Sequence, residues 1–421
     1  MKNNKFISNA SWIMIGRIVQ LGLTFVTTML VARYLGPSEN GKLTYVYSYI
    51  QLFIPLCVAG MNDIVVKELV DDKDNNDEIL GTIIVIRLFF SLISIVLSIL
   101  IVTALNNSPL YSLIAFLQSF SLMFQAFECI MYFYQSKLAS QKSGTAYALA
   151  YIVSSAFRIL GIVLHVDIRW FAFAMSLDFI MLAFFLLTAY FKDHNKLRFS
   201  LYRAKQLLGK SYHYIFAGIL VVIYGKVTDI LLLGKMIDET SVGYYGAATT
   251  LCNAWPFVLT AIIDSANPLI IDLYKEDENA FNKRIRQLYA AIFYISTFVA
   301  IMIGLLSDLA IFILYGQDYL PASLPMKIFA WSTGFSYLGV ARTAWMQCKK
   351  QTRYETYIAL FGAIINITLN YILILRLGII GAAVAAVLTQ FLTNFVFLFF
   401  ISDIRGNAKL ILDAIMLKDV R

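Results

Sequence analysis

The chain has 421 residues, 60% of them hydrophobic and 14% charged, with a formal net charge of +8. A soluble domain carries roughly 25% charged residues, and a mean hydropathy of +0.73 exceeds what one or two globular cores can bury. That excludes a soluble globular protein, and the long apolar runs exclude a β-barrel, whose strands read as short alternating segments; the chain reads as an all-α integral membrane protein.

Twelve apolar spans are expected, each with the roughly 20 residues that cross a bilayer core. The first, 7–31, follows Lys2 and Lys5. It is too long for the apolar core of a cleaved signal peptide and lacks a clear small-residue cleavage site, so it is expected to be retained. Within it, "IMIGRIVQLGL" (13–23) places Arg17 about ten residues, or roughly 15 Å, into the helix, too deep for easy snorkelling. Gln20, Thr24 and Thr28 follow at +3, +7 and +11. At about 100° per residue they form one polar stripe, opposite Trp12, Val19 and Val26. Such a stripe fits a helix lining a hydrated cavity; an arginine–carboxylate contact between helices is the alternative.

Span two is 41–60, and the acidic run "DDKDNNDE" (71–78) reads as a solvated turn. Spans three to six, at 81–105, 110–134, 144–164 and 170–191, carry Arg87, Glu128, Arg158 and Asp178. They complete an N-terminal six-helix bundle, 1–191. The basic segment 192–212 is a cytoplasmic linker, read first as solvated topogenic charge and second as an amphipathic helix on the anionic inner leaflet. The C-terminal six-helix bundle, 213–401, holds spans at 213–233, 244–270, 286–306, 327–347, 355–375 and 379–401, and 402–421 is a cytoplasmic tail. Lys226 and Asp229 share a face of span seven at i,i+3 spacing. Asp264 lies in span eight beyond Pro256, which can break or kink that helix. Arg342 lies in span ten. The longest outside loop, 307–326, has about 20 residues, too few for the large periplasmic loop of a membrane polymerase or ligase. "LGPSENGKLTYVYSY" (35–49) and "LGKMIDETSVGYYGAATT" (233–250) form a faint internal repeat, in keeping with paired halves around a pathway.

With the N-terminus inside, 23 lysines and arginines fall on cytoplasmic segments and 5 on outside ones. The positive-inside rule therefore puts both termini in the cytoplasm. The positive charge is mainly a topology signal and implies no nucleic-acid partner. Cys57, Cys129, Cys252 and Cys348 form no disulfide framework, and His165, His194 and His213 suggest no metal site. With no phosphate loop or hydrolase motif, no cofactor and no enzymatic activity are expected.

An ionised side chain at the bilayer centre costs about 2.5–3.5 kcal/mol, so such residues face protein or water. Arg17, Arg87, Arg158, Lys226 and Arg342 are the candidate substrate-binding bases of a cationic cavity. Arg87 and Arg342, about six residues from the cytoplasmic ends of their spans, have snorkelling as the alternative. Guanidinium favours phosphate or carboxylate ligands, so the substrate is expected to be anionic. Glu128, Asp178, Asp229 and Asp264 either pair with these bases or bind a coupling H⁺ or Na⁺; for Lys226 and Asp229 a static pair is the simpler reading.

Several segments resemble a known family. "LVARYLGPSENGKLTYVYSY" (30–49), "KVTDILLLGKMIDETSVGYYGAA" (226–248) and "ILYGQDYLPAS" (313–323) resemble bacterial polysaccharide transporters. "NITLNYILILRLGIIGAAVAAVLTQ" (366–390) resembles the last hairpin of the wider multidrug/oligosaccharidyl-lipid/polysaccharide (MOP) exporter superfamily. Together they look like O-antigen flippases of the Wzx type. The resemblance implies two six-helix bundles around a central cavity and alternating access. It also implies an undecaprenyl-pyrophosphate-linked oligosaccharide as substrate, flipped across the bacterial inner membrane with an ion gradient in some members. Arg17 matches a position where relatives carry a functional base. Asp264 stands where lipid II flippases have a functional charged site, but it is acidic, so no phosphate role carries over. The partners implied are lipid, a coupling ion and other polysaccharide-assembly proteins, with the chain itself a monomer. An ion-coupled exporter of small organic solutes on the same fold is the alternative.

Overall fold

The computed structural model describes residues 2–106, 108–193 and 196–418, with side chains at all of these except 2–8, 10, 11, 63, 217 and 226. His194, Arg421 and the side chains of Lys2, Lys5 and Lys226 therefore lie outside the description. Among the described residues the chain is helical, with no β-strand. Ten helices are long and apolar enough to cross a membrane.

The count differs from twelve for local reasons. Expected spans one and two fall on a single helix, α1 (Lys2–Gln51). Fifty residues would reach about 75 Å, more than twice a bilayer core. The chain turns within it at Gly36, where φ is 75° and ψ is 171°. This is a left-handed backbone that glycine adopts without a Cβ penalty, and Pro37 follows. Expected span ten is divided into α14 (Ser323–Phe329) and α15 (Ser332–Cys348), each shorter than a full span.

Contacts divide the chain into two units, Met1–Val222 and Ile223–Arg421. In the first, α1 is followed by short α2 (Ile54–Cys57) and α3 (Asn62–Asp71), then α4 (Asn76–Leu105), α5 (Pro109–Gln125) and α6 (Ile130–Ser136). The helices α7 (Gln141–Val163), α8 (Ile168–Lys192) and α9 (Leu201–Val222) complete it. α1 packs on α7, α7 on α8, and α8 on α5. A core of Ile83, Ile130, Phe133, Ala150 and Leu186 is fully or almost fully buried.

The segment 192–212 is attached to this unit. Asp72 accepts from Arg203 Nη2 at 2.6 Å, and Asp77 accepts from Tyr190 and from the Lys196 amide. Lys210 binds Glu68 at 2.6 Å, and Ala204, Leu207 and Ser211 are buried. The acidic run expected as a solvated turn is thus the partner of the basic segment expected as a linker. The contact boundary falls at 222/223, beyond the 212/213 division drawn from composition. Charge density marks both segments as polar; it does not reveal that they meet.

The second unit begins with a π-helical turn, Ile223–Val227. It continues through α10 (Thr228–Met236), α11 (Glu239–Cys252), α12 (Phe257–Glu276), α13 (Glu278–Leu314), α14 and α15. Then come α16 (Arg353–Leu377), α17 (Ile379–Phe391) and α18 (Arg405–Ile415). Expected span eight is broken at 253–256, just before and at Pro256, where one apolar run hides two helices. The 20-residue outside loop is also shorter than expected. α13 continues to Leu314 and a 3₁₀ turn covers Gln317–Ala322, because the apolar run carries on past the span's nominal length. The tail is helical in part: α18 buries Ala408, Ile411 and Ala414 and bonds Tyr289 through Asn407 at 2.7 Å.

Candidate functional site

In the first unit, α1 and α7 approach closely at Gly16 and Gly144. A Cβ on Gly16 would stand 2.9 Å from the Gly144 Cα, and one on Gly144 would stand 2.6 Å from the Trp12 carbonyl oxygen. Small residues of this kind let membrane helices pack backbone to backbone. Arg17, beside Gly16, is thereby brought against α7. Its guanidinium lies 5.0 Å from the Tyr147 ring centroid, within cation–π range. It donates to Gln20 Oε1 at 3.2 Å. Gln20 in turn donates to the Tyr151 hydroxyl at 2.8 Å.

Glu128 stands on a 3₁₀ turn, Ala126–Cys129. It accepts from the Tyr147 hydroxyl at 2.5 Å and lies 3.8 Å from Arg17. The latter distance is ionic attraction rather than a hydrogen bond. Arg17 keeps 45% of its side-chain surface exposed, so a guanidinium with five N–H donors is oriented by its neighbours without being enclosed by them.

The polar stripe continues from there. Gln20, Thr24 and Thr28 line a cavity of about 300 Å³ together with Tyr47, Arg158 and Asp178. Arg158 and Asp178 form a bidentate pair, Nη1 to Oδ1 at 2.9 Å and Nη2 to Oδ2 at 2.6 Å, with a further bond from Nη2 to the Ala174 carbonyl. Both residues are more than nine-tenths buried. Arg158 therefore adds no net charge to the cavity it lines. Arg87 is 1% exposed and donates to Asn62 at 2.9 Å. It lies in the interior of its unit, so snorkelling does not describe it.

The second unit handles charge differently. Asp229, 1% exposed on α10, accepts from Tyr245 at 2.6 Å, Asn370 at 2.8 Å and Asn366 at 3.1 Å. All three donors are neutral. The Oδ1 atoms of both asparagines are buried without a hydrogen-bond partner among the described residues, so the cluster gathers a carboxylate and two unsatisfied amide oxygens. Asp229 and Asn366 also line a cavity of about 180 Å³ with Tyr224, Asn253, Ser336 and Gln390. Lys226 sits on the π turn before α10, beside Gly225 with its non-helical ψ of −167°. That break precedes Lys226, and Val227 and α10 continue in helical geometry to Asp229.

Arg342 is 5% exposed and does not snorkel. Its Nε and Nη1 have no hydrogen-bond partner among the described residues; Tyr224, Tyr289 and Glu355 are the titratable groups that act on it. Asp264 is exposed on α12. Sequence reasoning missed Tyr147, Tyr151, Tyr245, Asn366 and Asn370. The two asparagines had a readable signal: amides one helical turn apart in an apolar span share a face. The tyrosines are hidden among 25.

Compared with known proteins, residues 6–274 match the family described as "Polysaccharide biosynthesis protein". No curated protein matches. Among solved structures, the chain is similar to the lipid II flippase MurJ in an inward closed conformation, with TM-score 0.74, 16% identity, and 98% of this chain and 90% of that one covered. It is similar to an inward-facing multidrug resistance MATE family transporter of the MOP superfamily, with TM-score 0.70, 14% identity and coverages of 94% and 99%. It is also similar to a MOP superfamily transporter from Pyrococcus furiosus Vc1, described as having a binding pocket of reversed polarity, with TM-score 0.65, 13% identity and coverages of 97% and 96%. At these identities the likeness is one of fold, that of a multi-pass membrane transporter.

Proposed function

Because this chain belongs to the polysaccharide biosynthesis protein family, we propose that it flips undecaprenyl-pyrophosphate-linked O-antigen or polysaccharide repeat units across a bacterial inner membrane by alternating access. Counting α1 as two crossings and α14–α15 as one gives twelve, with both termini cytoplasmic. The six-helix bundles are read as residues 1–191 and 213–401, joined by 192–212. Neither a pyrophosphate nor a sugar chain crosses hydrocarbon readily, because each would lose its hydration unpaired.

The observation that carries the reading is Arg17. It is a half-exposed guanidinium deep in an apolar chain, at the head of the Gln20–Thr24–Thr28 stripe and adjoining the cavity that this stripe lines with Arg158 and Asp178. It offers charge-assisted hydrogen bonds to the anionic head group, and the stripe offers hydroxyl and amide groups to the sugars. Arg87 and Arg342 add positive potential from buried positions, and Lys226 is a further candidate base. Asp229, with Asn366 and Asn370 beside it, is the candidate site of a coupling H⁺ or Na⁺. Glu128 and Asp178 act as pairing partners, and Asp264 remains a secondary ion candidate.

Depletion of the chain should raise lipid-linked repeat units on the cytoplasmic side and remove surface polysaccharide. Arg17→Ala should reproduce that loss with normal membrane protein level, and Arg17→Lys should keep part of the activity. Normal surface polysaccharide in Arg17→Ala cells would overturn the assignment. The likeness to a multidrug transporter favours one competing reading, export of small organic solutes. Altered solute resistance with unchanged polysaccharide would select it.

A further inference from the structure

Away from these cavities, α7 and α8 pack together as an antiparallel pair. Where α7 begins and α8 ends, a groove of about 440 Å³ opens on the surface. Its lining is graded along the helices. Lys142, Lys192 and Asp193 form one end. One turn further, Thr145 and Thr188 supply hydroxyl oxygens, and beyond them Leu149 and Phe185 form an apolar end. On α7 the sequence spacing is 142, 145, 149, and on α8 it is 192, 188, 185, so each helix contributes one face.

Lys142 is held by an ion pair to Asp193, and Asp193 also accepts from the Tyr134 hydroxyl at 3.1 Å. Lys137 stands close enough to act on the same carboxylate. Lys142 and Lys137 thus act on one carboxylate, and Lys192 lines the same end of the groove, leaving a local excess of positive charge. From Lys142 to Leu149 the helix rises roughly 10 Å, and the polar layer of one leaflet is about 5–7 Å thick. A phosphate on the lysines therefore puts the following chains at Leu149, which is 47% exposed, and at Phe185.

We propose that this groove binds an anionic glycerophospholipid of the surrounding bilayer, its phosphate on Lys142, Lys192 and Lys137 and its acyl chains along Leu149 and Phe185. Charge at one end, hydroxyls in the middle and exposed apolar surface at the other match head, glycerol and tail in order. A soluble phosphate compound would have no use for the apolar end. The site is independent of which cargo the protein moves.

The test uses the full chain in detergent micelles, with native mass spectrometry after adding phosphatidylglycerol or phosphatidylcholine in equal amount. Phosphatidylglycerol should be retained preferentially, and the triple variant Lys137→Gln, Lys142→Gln, Lys192→Gln should lower its retention at least about tenfold. If the triple variant does not elute as a single species, Lys192→Glu, which spares the Lys142–Asp193 pair, should show the same loss. Wild-type retention in the variant that folds overturns the proposal. So does displacement of the lipid by millimolar inorganic pyrophosphate, which would assign the lysines to a free phosphate.

Discussion

The two units are both helical and each buries a carboxylate, yet the two carboxylates are answered by different means. In the first, the buried carboxylate Asp178 is answered by a guanidinium through two parallel bonds. In the second, the buried carboxylate Asp229 is answered by a tyrosine and two asparagines; a buried guanidinium with an N–H left without a hydrogen-bond partner among the described residues occurs in both units, Arg87 in the first and Arg342 in the second. A fixed counter-charge closes a site electrostatically. Neutral dipoles leave the charge in place for a mobile ion or proton to neutralise. The contrast separates a structural ion pair from a candidate coupling site more sharply than depth in the membrane does.

The comparison breaks most visibly at the pair. Arg158→Ala leaves Asp178 buried and unanswered, a loss of about 3–5 kcal/mol, so little folded protein should reach the membrane. Arg158→Met combined with Asp178→Leu should restore the level, read by fluorescence-detected size-exclusion chromatography. Failure of the double variant to recover would show that the pair does more than balance charge. Asp229→Asn should behave oppositely: normal protein level, but transport that no longer responds to the ion gradient, measured as lipid-linked repeat units translocated in vesicles with and without the gradient. If Asp229→Asn instead removes the folded protein, the two carboxylates are alike and the contrast fails. Arg342→Met should leave the folded level unchanged or raised, since replacing a buried charge that has N–H groups left without partners by an apolar chain removes a desolvation cost.

The smallest effect concerns the clasp on the first unit. Hydrogen bonds from Asn75 and Arg203 hold the Asp72 carboxyl below its ordinary value of 3.8. A carboxylate with a depressed folded pKa contributes above its unfolded value and loses that contribution as pH falls through the folded one. Amide protection around Arg203, corrected for the intrinsic pH dependence of exchange, should therefore be unchanged from neutral pH down to about 4 and fall below it. Arg203→Gln should shrink that pH step, leaving the part due to Asn75, while shifting the melting temperature little, as expected for a partly exposed pair.

Much of the fold is legible in the hydropathy. Spans three to six and eleven correspond to single helical stretches, or to two consecutive ones, because an uninterrupted apolar run has only one way to satisfy its backbone in lipid. The turn at Gly36 falls between spans one and two, and Pro256 marks the break at 253–256; the break at 330–331 is not legible, since a helix and a broken helix of the same composition have the same hydropathy. The candidate site divides in the same way. The stripe from Gln20 to Thr28 follows from helical periodicity along one segment. The partners of Arg158, Asp229 and Glu128 lie 16 to 141 residues away in sequence, and no single-segment pattern carries that information.

By itself, then, the sequence determined that this chain is helical, that it belongs in a membrane, and that ionised groups sit where they need company. Those properties depend on composition and on periods of 3.6 residues, both of which are local. Only the tertiary structure decided which company each charge keeps: Arg158 a carboxylate, Asp229 three neutral donors, Arg17 an aromatic ring and an open side. Pairing depends on which helices come within 3 Å of one another, and that is set by close-packed contacts such as Gly16 against Gly144, between residues far apart along the chain.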